Sequence, residues 1–289
     1  MISRPWRDRI EGLVSHRIMR VFLSVVGRYD AAGGALLAGG LAYSALFAIV
    51  PLALVTAGLT GLLVADPATR NDVVAAIAEV LPPLRGLLEL VLGEAARSAT
   101  TISLVGAAAL IWGGSRFILA FETAMSRLAG GPRTRGVLRR NLIGFATAIV
   151  LVGTVLLGAV LAGIAAFLDA AVAENQVVGL SIVTRLLLAL LPLFLAVAAT
   201  VLVYRFVPES RPSWEATWVP AVVVGVVLTI STRAFVFIAP KLIGAAATIG
   251  AVATAFAALA WLGITFQAIL LGAAWVGERH DGRRGIDSA

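Results

Sequence analysis

The sequence predicts an all-α, polytopic membrane protein with six transmembrane helices. Hydrophobic residues make up 60% of the chain and charged residues only 13%, and the mean hydropathy is +0.98. A soluble globular domain has roughly a quarter charged residues. No hydrophilic stretch has the length of a separate domain. We therefore expect a basic segment at 1–30, one helical membrane domain at 31–277 and a short tail at 278–289.

The first span is predicted within the uncharged run 31–65. A bilayer core about 30 Å thick needs about 20 helical residues, so this run is too long for a straight crossing. Pro51 lies near its middle and is the expected bending point, because proline removes a backbone donor and crowds the preceding turn. The residues leave open whether Pro51 makes a packing kink or a functional hinge. Tyr43 and Ser44 place polar groups beside it.

The segment 1–30 predicts an amphipathic helix, because apolar residues recur at helical spacing among its six arginines. These are Arg4, Arg7, Arg9, Arg17, Arg20 and Arg28. A basic face opposite an apolar stripe fits a helix lying on an anionic membrane surface. A helix packed under the bundle fits equally well, and the two arrangements are compatible.

The remaining apolar runs complete the predicted set of spans. The six spans are expected at about 34–63, 98–121, 142–168, 182–204, 218–238 and 247–275. The mixed charges of 66–98 predict two short amphipathic helices outside the membrane, between spans 1 and 2, with Pro82 and Pro83 interrupting them. The last uncharged run, 242–277, is again longer than a straight crossing requires.

The distribution of basic residues predicts that both termini lie in the cytoplasm. With the amino terminus inside, 17 of the 23 lysines and arginines fall on the inner side, as the positive-inside rule requires. This orientation also accounts for the pI near 11.1 without nucleic acid as a partner. The first apolar run is too long for a signal-peptide h-region, so no cleaved signal peptide is expected.

The residue inventory gives little support to an enzyme. The chain has no cysteine, which excludes disulfides and thiolate metal sites. His16 and His280 lie near the two termini, and Lys241 is the only lysine, so a histidine triad or a phosphate-binding loop is not expected. The acidic residues are too scattered for a metal-dependent nuclease. We expect no cofactor and no metal.

Ionisable residues near membrane depth are the candidate functional residues, because they are costly there and tend to be functional. Cationic side chains would suit an anionic substrate such as a lipid headgroup. Each arginine could instead snorkel from a helix end, and this is the stronger interpretation for Arg205. Gln267 more often makes an interhelical hydrogen bond than binds a substrate. The predicted substrate- or lipid-contacting set is Arg116, Glu122, Arg185, Arg205, Tyr43, Ser44 and Gln267, with Arg233 as a further candidate.

Four motifs resemble the YihY/BrkB family of bacterial inner-membrane proteins, formerly mislabelled ribonuclease BN, over about residues 20–279. They are LAYSALFAIVPL at 41–52, IWGGSRFILAFETAMSRL at 111–128, VYRFVPESRPSWEATWVPA at 203–221 and IGAAATIGAVATAFAALAWLGITFQAILLGAAW at 243–275. Ser126, the stretch 244–250 and Ala274 depart from residues common in that family, so roles of those polar groups cannot be carried over. The resemblance implies a bacterial inner-membrane location, and a label of virulence or serum resistance.

Two functions are left open by the sequence. The first is a transporter or exporter of a lipid or another anionic envelope component, as the resemblance also implies. The second is a non-transporting scaffold in envelope biogenesis or serum resistance. Membrane lipids are expected partners, and a homo-oligomer or an envelope protein partner is left open. A transporter should line a cavity with arginines and polar groups, whereas a scaffold should be tightly packed.

Overall fold

The protein is helical wherever its structure is described. A computed structural model describes residues 17–63, 99–130, 178–245 and 250–287, with side chains described at 19–48, 112–130, 190–238, 241 and 252–282. The helices are α1 Arg17–Ala31, α2 Gly34–Leu63, α3 Ala99–Ala129, α4 Val178–Phe206, α5 Trp214–Ala245 and α6 Gly250–Asp287. These ranges contain no strand, which confirms the all-α class.

Membrane-crossing length is found in α5 and α6. Among the residues with described side chains, Trp214–Ile238 and Val252–Gly282 are long and apolar enough to cross a membrane. The predicted span 142–168 and the predicted outer segment 66–98 lie outside the described residues. The total of six spans therefore stays a prediction.

A sharp bend separates α1 from α2. The axes of Met19–Ala31 and Gly34–Ala48 meet at 63°, and Gly33 between them has a φ of 71°, a conformation that glycine adopts without steric cost. Pro51 lies inside the continuous helix α2, in the part whose side chains are not described. The bend that the structure shows is thus at Gly33, while a hinge at Pro51 stays a prediction.

Helix α6 is the central element of the packing. Helix α2 pairs with α3 and α4 pairs with α5, and α6 contacts all four of these helices as well as α1. An aromatic cluster joins α3 to α6: the ring centroids of Phe117 and Phe121 lie 5.8 and 6.1 Å from that of Phe266. Such edge-on pairs add about 0.5–1.5 kcal/mol each beyond the burial of their area.

A single tyrosine ties α4 to α6. Tyr204 is fully buried, and its hydroxyl donates a hydrogen bond of 2.8 Å to the carbonyl oxygen of Ile269. Burying this hydroxyl without an acceptor would cost about 1–3 kcal/mol. The ring has room because residue 272 is a glycine. A Cβ at that position would collide with the Tyr204 hydroxyl and would lie 2.6 Å from Val224.

Charged side chains gather around the last turn of α3. The Nε of Arg28 donates to the carbonyl oxygen of Leu128 at 2.7 Å, and its Nη1 donates to Asp281 at 2.7 Å and lies 3.8 Å from Glu278. The hydroxyl of Ser210 donates to the carbonyl oxygen of Ala129 at 3.3 Å. The last carbonyls of a helix have no partner within it and carry partial negative charge. We call Arg28, Ser210, Glu278 and Asp281 the α3 end cluster.

Replacing Gly272 with alanine should destabilise the bundle by about 1–3 kcal/mol, because the new methyl group collides with Tyr204 and Val224 in a filled core. Equilibrium unfolding of the purified protein in mixed micelles measures this difference. Gly263→Ala on the same helix is the matched control, since a Cβ there meets nothing within 4 Å. Equal stability of the two variants would show that α6 does not pack so closely on α4.

Removing the Arg28 charge should weaken the attachment of α1 to the end of α3 and to Asp281 on α6. Arg28→Gln should lower the free energy of unfolding by roughly 1–2 kcal/mol, because a charged donor to a helix carbonyl is lost. Asp281→Asn should cost less than about 1 kcal/mol, since Asp281 is half exposed and exposed ion pairs contribute little. Arg20→Gln, on the exposed side of α1, is the control. Indistinguishable unfolding curves for Arg28→Gln and Arg20→Gln would contradict the assignment.

Candidate functional site

Arg116 stands on the outer surface of α3. Its side chain is exposed, and its guanidinium carbon lies 5.4 Å from the ring centroid of Trp112, which is 68% exposed. An arginine over an indole face is held by a cation–π attraction of about 0.5–1 kcal/mol at an exposed site. The Trp112 ring lies one helical turn before Arg116, towards the amino-terminal end of α3. The guanidinium therefore points away from the α3 end cluster and does not snorkel towards it.

Two further exposed aromatic side chains lie on α2 near the level at which it meets α3. Tyr43 and Phe47 are both exposed, and their ring centroids lie 4.6 Å apart. The two helices approach closely at this level, since a Cβ on Gly113 would lie 3.7 Å from the carbonyl oxygen of Phe47. We call Tyr43, Phe47, Trp112 and Arg116 the α2–α3 outer face.

Arg116 lies within the predicted span 98–121, in its last turns. Ser126 marks the polar end of the bundle, because its hydroxyl accepts a hydrogen bond of 3.4 Å from the backbone amide of Glu209. From Ser126 back to Arg116 the helix rises about 15 Å, and Arg116 lies about 7 Å before the end of the predicted span 98–121. An arginine at the centre of a membrane helix costs about 2.5–3.5 kcal/mol on insertion scales, and less near a helix end, unless an anion or water accompanies it.

Glu122 lies on a different side of α3 from Arg116. Its side chain is only 3% exposed, and Ser126, one turn further along, is 8% exposed. Successive residues turn by about 100°, so Arg116 and Glu122 point about 120° apart. The structure therefore does not join these two predicted site residues into one pair.

The smaller polar residues of the predicted set are separated as well. The Ser44 hydroxyl donates a hydrogen bond of 2.8 Å to the carbonyl oxygen of Gly40 within its own helix. This bond satisfies the hydroxyl locally, as serine commonly does inside helices. Gln267 is exposed on α6, beside the buried Phe266. Tyr43 is the one of these whose ring lies against another aromatic ring, that of Phe47 on the same helix.

Arg205 belongs to the opposite pair of helices. It lies in the last turn of α4, where its Nη1 donates a hydrogen bond of 2.8 Å to the carbonyl oxygen of Pro212. Its guanidinium carbon lies 5.6 Å from the ring centroid of Trp214. A helix-end position is what the snorkelling interpretation predicts. Arg185 lies in α4, but its side chain is outside the described residues, as is that of Pro51.

The described arginines do not line the core of the bundle. Each of them is exposed or half-buried, and the buried polar or charged side chains in the described ranges are those of Glu122, Ser126, Thr200 and Thr217. In the part of the chain whose side chains are described, no group of three or more His, Cys, Asp or Glu residues could hold a metal ion.

Sequence reasoning missed the aromatic partners of the arginines. Trp112 precedes Arg116 by four residues, a spacing that brings two side chains together on one face of a helix. This spacing is a signal that could have found the pair. Phe47 carried no comparable signal, because only the packing of α2 against α3 brings it to the same level.

The comparisons with known proteins place the chain in a family. The family described as Virulence factor BrkB matches residues 25–288. A UPF0761 membrane protein of Chromohalobacter salexigens is 25% identical over 269 residues, which cover 91% of this chain and 64% of that relative. This chain thus spans less than two thirds of the length of the relative. No solved structure matches it. The family resemblance of the motifs is confirmed: this chain is a membrane protein of the BrkB family.

Proposed function

We propose that this protein transports or exports a lipid or another anionic component of the bacterial envelope. The observation that carries the proposal is the exposed guanidinium of Arg116, stacked on Trp112 within the apolar part of α3. The bacterial inner membrane is the proposed location, with both termini in the cytoplasm as the distribution of arginines predicts.

The chemistry of Arg116 favours an anionic group on the substrate. A guanidinium in an apolar layer is costly, and a phosphate or carboxylate can accept two parallel hydrogen bonds from it. The exposed rings of Phe47 and Trp112 offer apolar contact for acyl chains on either side. A lipid whose headgroup binds Arg116 would thus have a charged contact for its headgroup and an apolar contact for its acyl chains.

The packing of the described helices favours a route along the outer face of the bundle. The interface between α3 and α6 is filled by the rings of Phe117, Phe121 and Phe266. Arg116 points about 100° away from Phe117 and about 140° away from Phe121 around the axis of α3. A lipid headgroup that binds Arg116 transiently would move along the α2–α3 outer face, while the acyl chains of that lipid stay in the bilayer.

A scaffold is the second candidate, and the same exposed rings favour it. An exposed patch of large apolar side chains often marks a protein contact, and a partner helix carrying an acidic residue could cover Arg116 instead of a lipid. In that case Arg116 would fix the position of an envelope protein or of a second copy of this chain, without any movement of substrate.

Replacing Arg116 with glutamine should slow transport of an anionic phospholipid by at least about tenfold, because a charge-assisted contact contributes about 1.5–3 kcal/mol. Movement of fluorescent phosphatidylglycerol between the leaflets of vesicles containing the purified protein measures the rate. Arg116→Lys should be intermediate, since lysine keeps the charge and loses the planar fork.

Arg127→Gln is the matched control, because Arg127 is exposed in the last turn of the same helix. Its rate should equal that of the wild type. Equal rates for Arg116→Gln and the wild type would reject Arg116 as a transport residue. A wild-type protein that moves no lipid, but loses a co-purifying membrane protein on Arg116→Gln, would establish the scaffold.

A further inference from the structure

The turn between α4 and α5, residues 207–213, comes from the most distinctive motif of the sequence, and the transport site does not use it. Its interior is fixed: Pro208 and Pro212 are fully buried and Val207 is 3% exposed. Two hydrogen bonds tie it to the end of α3, from the Glu209 amide to Ser126 and from the Ser210 hydroxyl to Ala129. The turn is therefore held rigidly against the bundle.

The turn and the helix ends beside it carry two arginines, one half-buried and one exposed, and two exposed tryptophans. Arg205 lies over Trp214, and Arg211 is exposed with a φ of 45°. Trp214 and Trp218, one turn apart on α5, are 56% and 55% exposed. We call these four residues the turn patch.

The composition of the turn patch is that of a membrane boundary. Tryptophan is enriched at the level of the lipid headgroups, where its ring is apolar and its N–H can meet a polar group. The patch lies at the end of the apolar segment Trp214–Ile238, as such a boundary residue should. Arg205 and Arg211 therefore stand at headgroup depth, unlike Arg116.

The local charge favours an anionic headgroup. The basic residues in and beside the turn are Arg205, Arg211 and Arg279, and the acidic ones are Glu209 and Glu215. Glu278 and Asp281 of the nearby α3 end cluster lie against Arg28. Arg279 also donates a hydrogen bond of 2.9 Å to the carbonyl oxygen of Glu215, which fixes a third cation beside the start of α5. A guanidinium binds a phosphate oxygen through charge-assisted hydrogen bonds.

We propose that the turn patch is a binding site for the phosphate of an anionic phospholipid in the leaflet that it faces. Arg205 is oriented by Pro212 and Trp214, so little conformational freedom is lost on binding. The two indoles pack against the glycerol and upper acyl region of the lipid. This site is separate from the α2–α3 outer face and does not depend on transport.

Competitive quenching of tryptophan fluorescence tests the proposal. The full-length protein is reconstituted in vesicles that contain brominated phosphatidylglycerol or brominated phosphatidylcholine in varied ratios, and the ratio of the two association constants is measured. The wild type should prefer phosphatidylglycerol. Arg205→Gln and Arg211→Asn should each reduce this preference by about fivefold, since one basic residue near the surface of an anionic membrane has about that effect.

The choice of variants keeps the test decisive. Asparagine tolerates the left-handed conformation at position 211, so Arg211→Asn removes the charge without straining the turn. If Arg205→Gln lowers the unfolding temperature, a change in its lipid preference could come from altered folding. The lipid preference of Arg211→Asn then decides the test. Lys241→Gln is the matched control: Lys241 is also exposed on α5, about 40 Å from Trp214 along the helix.

Three outcomes would overturn the proposal. The first is a wild type without preference for phosphatidylglycerol. The second is an unchanged preference in Arg211→Asn, or an equal loss in Lys241→Gln. The third is a loss of the preference when inorganic phosphate is added at constant ionic strength, which would mean that the patch binds the free anion and not the lipid. The transport rates of Arg211→Asn should equal those of the wild type, so this test and that of Arg116 fail independently.

Discussion

The close approach of α6 to its neighbours holds the described helices together. Lipid chains are as apolar as leucine, so helices in a membrane gain little from hydrophobic burial against each other and depend on close packing. Gly272 lets the ring of Tyr204 reach the backbone of α6, and Gly277 lies directly against the carbonyl oxygen of Leu128 and the guanidinium of Arg28. At both positions a side chain would push a neighbouring helix away.

The polar contacts between elements collect near one end of this bundle. Arg28 reaches α3 and α6 from α1, and Ser210 reaches α3 from the α4–α5 turn. A polar group that stayed in the apolar layer without a partner would cost several kcal/mol, whereas at the end of the bundle water is available. Arg116 differs from these polar groups, because its side chain is exposed within the predicted span of α3 and not at the end of the bundle. This position is the reason that it is the candidate site.

The two arginine–tryptophan stacks have different proposed roles, because they lie at different positions relative to the helix ends. Arg205 over Trp214 lies at a helix end, where a guanidinium meets headgroups and water. Arg116 over Trp112 lies about 15 Å before Ser126 along α3, inside the predicted span, where the proposed substrate would bring an anion to the guanidinium. The same pair of side chains is therefore proposed to retain a boundary lipid at one level and to contact a moving headgroup at the other.

The sequence by itself determined the all-helical membrane class, the BrkB family and the amphipathic character of α1. These properties depend on composition, on local periodicity and on ordered motifs, all of which a single chain displays. It also indicated Arg116, because an ionisable residue inside an apolar run is visible without a structure. The tertiary structure alone decided that the bend lies at Gly33 and that Arg28 meets Asp281 across 253 residues of sequence. Such contacts depend on how helices pack side by side, and helix packing is set by side-chain shapes on distant segments rather than by any local pattern.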